Sequence, residues 1–222
     1  MKTIFQWKRI ILSIVTSTAT VLSASESGPS LERVMRRPLI VGASVSADWA
    51  SKSPGKLLAL RYTDENQIKT IAFGGKSGSF VLKKVGEEQL RDRTVVIGLD
   101  LFFWDATLRS ADDSLKEMKK LIAAVKARDI PIILGEVPNL LPGMQPQAAL
   151  INRELQKACD NYAKCTVVPF TDMLVKVLSE GALNYKGTRY NLRQLIPDGL
   201  HIGPIASQYI ADTLYETLNK QE

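Results

Sequence analysis

The chain of 222 residues contains few of the side chains that most often build metal and redox sites. It has one histidine, two cysteines and 7% aromatic residues. A zinc site generally needs three or four nitrogen or sulfur ligands, so no metal site is predicted. Basic residues are scattered apart from Arg33, Arg36 and Arg37, which we interpret as a solvated leader. No basic stripe with interleaved aromatic residues indicates a nucleic-acid partner.

The sequence also lacks an apolar run long enough to span a bilayer. The run Ile10–Leu22 has 13 residues, against about 20 for a membrane-spanning helix. Lysine and arginine precede it and Ser23, Ala24 and Ser25 follow, which is the layout of a secretory signal peptide. We therefore predict a signal peptide over residues 1–24, a leader over 25–37 and one domain over 38–222. Cleavage lowers the formal charge from +6 to +3 and leaves an exported protein, periplasmic or extracellular, without a transmembrane anchor.

The two cysteines are six positions apart. Cys159 lies late in a helical pattern and Cys165 opens an apolar strand. In an oxidising compartment a disulfide between them is the favoured interpretation. Two separately buried thiols are the alternative.

Short apolar segments alternate with longer amphipathic ones along the rest of the chain. This pattern predicts βαβ units and a parallel sheet, in a single three-layer α/β domain with about five central strands. The loop 181–192, rich in Gly, Tyr and Asn, precedes a final helix. The strands are predicted at residues 38–43, 68–73, 94–99, 130–134 and 165–170.

Polar residues follow three of these strands. Ser44 follows the first, the turn Gly74–Gly78 the second, and Asp100 the third. The carboxyl ends of parallel strands meet at one edge, where open α/β sheets bind ligands. A serine nucleophile needs a base and the base needs an orienting group. His201 is the only imidazole and Asp198 precedes it in the turn-prone sequence Pro-Asp-Gly-Leu-His, although a structural role for this histidine is the alternative.

These segments are similar to the conserved blocks of the SGNH (GDSL-type) hydrolases. Gly42–Ser46 resembles the first block, Lys76–Gly78 the second and Asp198–His201 the last, in the same order. The resemblance covers residues 38 to about 218 and implies a flavodoxin-like sheet carrying a Ser-His-Asp triad. It implies that Ser44 is the nucleophile, His201 the base and then the acid, and Asp198 its orienting carboxylate. The backbone N–H groups of Ser44 and Gly78 would bind the oxyanion.

Two positions depart from the family pattern. Ala43 occupies the position of an aspartate, and Asp100 occupies that of an asparagine whose side chain is the third oxyanion donor. An ionised carboxylate cannot donate a hydrogen bond, and one lost donor costs about 2.7–4 kcal/mol of transition-state stabilisation. The expected function is an exported serine esterase that forms an acyl-enzyme. The alternative is a weak or inactive binding module of the cell envelope with the same scaffold.

Aromatic residues near this edge are candidate substrate contacts. Phe103 and Trp104 follow Asp100 closely, and Trp49 follows Ser44. The substrate is expected to be an ester of a small molecule, a lipid or an acetylated glycan. Lysophospholipase, thioesterase and acetyl esterase activities therefore all stay open. No cofactor is expected, because the P-loop-like segment Gly75–Ser77 has Thr70 where a P-loop has its first glycine.

Overall fold

The computed structural model describes residues 30–219. The predicted signal peptide and residues 25–29 of the leader lie outside the described residues. Within residues 30–219 no helix is long and apolar enough to cross a bilayer.

Five parallel strands form the central sheet in the order β2-β1-β3-β4-β5. Their apolar runs are buried on both faces of β1, β3 and β4, as expected for a parallel sheet covered by helices. The predicted three-layer α/β fold is therefore confirmed. The strands are β1 (Pro38–Gly42), β2 (Lys69–Ala72), β3 (Val95–Gly98), β4 (Ile132–Gly135) and β5 (Cys165–Val168).

Side chains alternate between two cores along each strand, because successive strand residues point to opposite faces. Leu39 and Val41 belong to one core, whereas Ile40 between them belongs to the other. The first core is covered by helices α3 (Gly78–Leu82), α4 (Glu87–Leu90), α5 (Asp112–Ala127) and α6 (Ala148–Cys159). The second is covered by α1 (Leu31–Val34), α2 (Pro54–Ala59) and α9 (Pro204–Asn219).

The chain reverses its direction across the sheet between β1 and β3. It runs from β1 to β2 on one side and then crosses to β3 on the other. Such a switch point opens a crevice at the carboxyl ends of the two strands. Ser44 follows β1 and Asp100 follows β3, so the topology brings these two residues to the same crevice.

Three elements differ from the sequence-based expectation. The spacing of Val81, Leu82, Val85 and Leu90 predicts one amphipathic helix from Ser79, but the structure has two short helices there, α3 and α4. The leader contributes α1, with Leu31 and Met35 buried in the second core, while Arg33 and Arg36 are exposed. The predicted loop 181–192 contains a hairpin.

That hairpin pairs β6 (Leu183–Tyr185) with β7 (Thr188–Tyr190). Its two turn residues, Lys186 and Gly187, both have positive φ angles, as a two-residue hairpin turn requires. The Lys-Gly pair is a weaker turn signal than Asn-Gly, which explains why sequence reasoning missed it. Two further helices flank the hairpin, α7 (Phe170–Glu180) and α8 (Leu192–Leu195).

Candidate active site

Ser44 lies in a tight turn directly after β1, which we call the serine loop (residues 43–49). Backbone hydrogen bonds from Ala47 N–H to Ala43 O and from Trp49 N–H to Ser44 O, both 3.1 Å, close this turn. The Ser44 side chain is buried apart from a small accessible fraction. The loop therefore holds one hydroxyl at the carboxyl edge of the sheet.

His201 and Asp198 come from the segment between α8 and α9, which we call the histidine loop (residues 196–203). Gly199 has a φ of +78°, a conformation that favours glycine. The backbone N–H groups of Leu200 and His201 donate to Asp198 Oδ1 at 2.9 and 2.6 Å. The turn thus folds the carboxylate back toward the imidazole that follows it.

The two loops meet through the imidazole. His201 Nε2 lies 3.0 Å from Ser44 Oγ, and His201 Nδ1 lies 2.6 Å from Asp198 Oδ2. A carboxylate only accepts hydrogen bonds, so Nδ1 carries the proton in the neutral ring and Nε2 accepts from the serine hydroxyl. The backbone N–H and ring of His201 hold the pKa of Asp198 well below its usual range. The arrangement is an ionised carboxylate, an oriented imidazole and a hydroxyl in series.

Asp100 makes a different contact from the one that the resemblance implies. Its Oδ2 accepts from the backbone N–H groups of Val45 at 2.8 Å and Ser46 at 3.3 Å, and its Oδ1 accepts from Ser46 Oγ at 2.5 Å. Burial raises the pKa of this carboxyl, while the hydrogen bonds that it accepts oppose the rise. Asp100 thus braces the serine loop and, as a carboxylate, is not an oxyanion donor.

Gly42 makes room for this brace. A Cβ atom at position 42 would overlap Asp100 Oδ1 and Ser46 Oγ. The last residue of β1 must therefore lack a side chain for the carboxylate to reach the serine loop.

The expectation for Gly78 needs correction. Its backbone N–H donates to Asp105 Oδ2 at 2.6 Å in a buried setting, so it is not free to bind an oxyanion. Asp105 is fully buried, also accepts from the Ser114 hydroxyl, and has a pKa raised by burial. Asp105 anchors the start of α3, a role that sequence reasoning did not assign.

Other backbone N–H groups near this edge have no such partner. Within residues 30–219, the N–H groups of Ser44, Gly74 and Gly75 have no acceptor among the hydrogen bonds. Gly75 has a φ of +70° with open space around it. These groups are available to a ligand.

The three aromatic residues expected to contact substrate occupy two different places. Phe103 and Trp104 lie in the wall of the cleft and meet edge to face at 5.3 Å between ring centroids. The Trp104 indole N–H is buried without a hydrogen-bond partner. Trp49 is 65% exposed. Its ring lies 5.9 Å from the His201 ring and against Gly74, outside the cleft wall.

A cleft with a cavity volume of about 150 Å³ begins at Ser44 and His201. Its wall continues along α7, α8 and the start of α9, and it is mostly aliphatic and aromatic. These helices were not predicted to contribute to the site. Their amphipathic pattern predicts helices but does not show which face borders a cleft.

The remaining predicted features lie away from this cleft. Cys159 and Cys165 form a disulfide between the end of α6 and the start of β5, with Cα atoms 5.0 Å apart, which confirms that prediction. Among residues 30–219 no cluster of three or more His, Cys, Asp or Glu side chains is arranged to hold a metal ion.

Comparison with known proteins yields similarity in structure alone. No protein-family model matches the chain, and no curated protein matches it. Among solved structures, the psychrotrophic esterase EstA from Pseudoalteromonas sp., in a structure inhibited by monoethylphosphonate, is 20% identical with a TM-score of 0.56. That alignment covers 82% of this chain and 96% of the esterase.

Two further solved structures align over similar lengths. The acetyl xylan esterase AlAXEase is 15% identical with a TM-score of 0.60, over 81% of this chain and 98% of the other. A lipase/acylhydrolase from Enterococcus faecalis is 16% identical with a TM-score of 0.60, over 84% and 96%. This chain shares their fold. At these identities the likeness carries no more than the fold, which agrees with the one implied by the SGNH resemblance.

Proposed function

We propose that this protein is an SGNH-type serine hydrolase that cleaves an ester bond through an acyl-enzyme. The observation that carries the proposal is the position of His201, with one ring nitrogen 3.0 Å from Ser44 Oγ and the other 2.6 Å from Asp198 Oδ2. A hydroxyl becomes nucleophilic when an oriented base accepts its proton. The shared fold with solved esterases and an acylhydrolase supports the same reaction class.

In the proposed reaction, Ser44 Oγ attacks the ester carbonyl while His201 Nε2 takes the hydroxyl proton. Asp198 stabilises the resulting imidazolium through Nδ1. The tetrahedral intermediate then expels the alcohol, which receives the proton from Nε2. Water then attacks the acyl-serine carbonyl while His201 Nε2 takes its proton. The second tetrahedral intermediate releases the carboxylic acid as Nε2 returns that proton to Ser44 Oγ, which regenerates the free serine.

The oxyanion requires donors other than Gly78 and Asp100. We propose the backbone N–H of Ser44, together with those of the Gly74–Gly75 turn, which follows the strand next to β1. Their lack of partners among the described residues supports this assignment. Preorganised donors of this kind contribute about 10²–10³ each to the rate.

A fluorophosphonate probe tests the proposal, because it forms a stable bond to an activated serine. We expect labelling of the full chain and turnover of nitrophenyl esters. Both should fall by about 10³ or more in Ser44→Ala and His201→Ala. The matched control is Ser110→Ala, which removes an exposed hydroxyl outside the cleft. Labelling that is equal in wild type and Ser44→Ala contradicts the proposal.

The second candidate is a binding module on the same scaffold. Asp100 favours it, because this buried carboxyl occupies the position where the family places an oxyanion donor, and its contacts are with the serine loop. In that case an ester analogue binds the cleft with neither labelling of Ser44 nor turnover.

We also propose that the protein is exported, to the periplasm or outside the cell. The signal-like residues 1–24 motivate this, and the disulfide is compatible with an oxidising compartment. N-terminal sequencing of the mature protein should give a start close to Ser25. A mature chain that begins at Met1 in the cytoplasm contradicts export.

A further inference from the structure

Helix α7 is packed unlike the other long helices of the domain. None of the side chains along Phe170–Glu180 is buried, whereas α5, α6 and α9 each bury at least three. The inner face of α7 nevertheless carries four large apolar side chains. These line the cleft and are Phe170, Met173, Leu174 and Val177. They are half-buried because one side of each borders the cleft, although Phe170 and Met173 also touch the second core and Val177 touches the cluster around Leu195.

The opposite wall of the cleft has the same chemistry. Leu195 and Ile196 at the end of α8, and Ala206 and Ile210 on α9, face the same space. Among residues 30–219 no lysine or arginine contributes to the wall. The ionisable side chains in it are few: Asp100 and His201 at the serine end, Glu136 directly after β4, and Tyr209 on α9.

Such a cleft suits a hydrocarbon and disfavours a sugar or a charged group. Apolar side chains that face empty space forgo the dispersion contacts that a filled core provides. A polar ligand would lose its hydrogen bonds with water on entry and find few partners in the wall. An aliphatic chain has no hydrogen bonds with water to lose, and it supplies the dispersion contacts that the apolar side chains lack in the empty cleft.

The triad geometry determines which part of an ester enters the cleft. The leaving alcohol must lie beside His201 Nε2, from which it takes its proton. Outside the cleft, the neighbour of the imidazole is Trp49, whose ring lies 5.9 Å from the His201 ring and which is largely exposed to solvent. The alcohol therefore lies toward solvent, and the acyl group extends from Ser44 into the cleft.

We infer that the acyl group of the substrate is an extended aliphatic chain, held between α7 and the α8–α9 segment. This inference rests on the proposed function and narrows it to fatty-acyl esters. Each methylene that enters the cleft should raise kcat/KM by about fourfold, from the usual free energy of burying a CH₂ group. An acetyl group is too short to fill the cleft, so acetyl esters should not show this increase in kcat/KM.

The first test is a series of nitrophenyl esters from acetyl to decanoyl, with the Ser44-dependent rate measured for each. Octanoyl has six more methylenes than acetyl, so we expect its kcat/KM to be higher by about 10³ if all six enter the cleft, and by at least tenfold if only two do. Ser44-dependent turnover with acetyl equal to or better than octanoyl overturns the inference and leaves the proposed hydrolase standing.

A pair of adjacent variants on α7 locates the effect. Leu174 lines the cleft, whereas Val175 is 58% exposed on the outer face of the same helix. Leu174→Trp should lower the octanoyl-to-acetyl ratio of kcat/KM at least fivefold, because the indole occupies the space of the chain. Val175→Trp should leave the ratio unchanged. Equal ratios in both variants overturn the placement of the chain.

Binding measured without catalysis separates the inference from the proposed function. In Ser44→Ala we expect cis-parinaric acid to gain fluorescence on binding and dodecanoate, but not butyrate, to displace it. When Leu174→Trp is added to Ser44→Ala, the affinities for cis-parinaric acid and for dodecanoate should both fall. If no ester is turned over but this binding is seen, the hydrolase proposal falls and the hydrocarbon site stands. If neither cis-parinaric acid nor dodecanoate binds to Ser44→Ala, the inference is wrong.

Discussion

Different interactions stabilise the two sides of the cleft: hydrogen bonds on the serine side and apolar contacts on the α7 side. On the serine side, Asp100 accepts from Val45 and Ser46, and these hydrogen bonds connect the serine loop to the residue that follows β3. On the α7 side, the contacts are apolar and no side chain is buried. On the polar side the donors of Val45 and Ser46 are already bonded to Asp100 in the free protein, while the apolar side has contacts left to make.

The difference matches the separate tasks of the two walls in the hydrolase that we propose. Reacting groups must be held close to their productive geometry before the substrate arrives. A wall that selects a flexible acyl chain gains by remaining incompletely packed until the chain fills it. Variants on the two sides should therefore have different effects. Substitutions on the serine side should lower the rate of ester hydrolysis, and substitutions on the α7 side should change the preference for acyl-chain length.

The largest effect is expected at the orienting carboxylate of the polar side. Asp198→Asn should lower kcat by about 10³–10⁴, because an amide beside Nδ1 favours the wrong imidazole tautomer. Ester hydrolysis with the variant measures this, and Asp160→Asn, an exposed substitution at the end of α6, is the control. A loss of less than tenfold would mean that Asp198 does not orient the imidazole.

Two methionines sharpen the contrast in packing. Met118 on α5 is fully buried, whereas Met173 on α7 borders the cleft. Met118→Ala should lower the free energy of unfolding by about 2–5 kcal/mol, the usual cost of such a truncation in a core. Met173→Ala should cost less than about 1.5 kcal/mol, because it enlarges an existing cavity. Urea unfolding of both variants measures the difference, and equal losses would show that α7 is packed as a core helix.

The brace beneath the serine loop should tolerate little added volume. Gly42→Ala places a methyl group against Asp100 and Ser46 and should cost about 1–3 kcal/mol, as overpacking generally does. Activity should fall as well, because Ser44 sits on the displaced loop. At Gly86 a Cβ atom comes only within 3.4 Å of Gln89 Oε1, so Gly86→Ala should cost less than about 1 kcal/mol. Thermal unfolding and ester turnover of the two variants provide the comparison.

The smallest expected effect is a pH dependence at Asp100. Burial raises the pKa of this carboxyl above its ordinary 3.8, so the folded state binds the proton more tightly than the unfolded state. Its contribution to stability is full below pH 3.8 and is lost as pH rises through the raised pKa. The stability of Asp100→Asn relative to wild type should therefore increase between pH 4 and pH 8. Denaturant titrations at several pH values measure this, and a constant difference would contradict a raised pKa.

Sequence reasoning identified the central sheet because its signals are local. The continuous apolar runs at Pro38–Gly42 and Val95–Gly98 have the composition of strands buried on both faces. The proximity of Ser44 and Asp100 could also be anticipated, because parallel strands deliver their carboxyl ends to one edge. That of Ser44 and His201 was expected only from the resemblance to the SGNH hydrolases, because His201 follows a helix and not a strand. The hairpin around Lys186 and Gly187 was missed, since its turn residues are not the pair that most strongly favours such a turn.

Two side-chain contacts could not be anticipated at all. Whether the Gly78 N–H faces a substrate or Asp105 depends on a residue 27 positions away. Whether Asp100 points toward an oxyanion or toward Val45 depends on the absence of a side chain at Gly42. Neither partner is signalled by spacing along the chain.

The sequence by itself determined the five central strands, the three chemical groups of the proposed site and the cysteines available for a bridge. Each of these features can be predicted from residue types and from the local periodicity of apolar residues. The tertiary structure alone decided which N–H groups are already bonded, how Asp100 is oriented and that α7 faces an apolar cleft. Those outcomes depend on distances between residues far apart in the chain, and such distances exist only once the layers have packed.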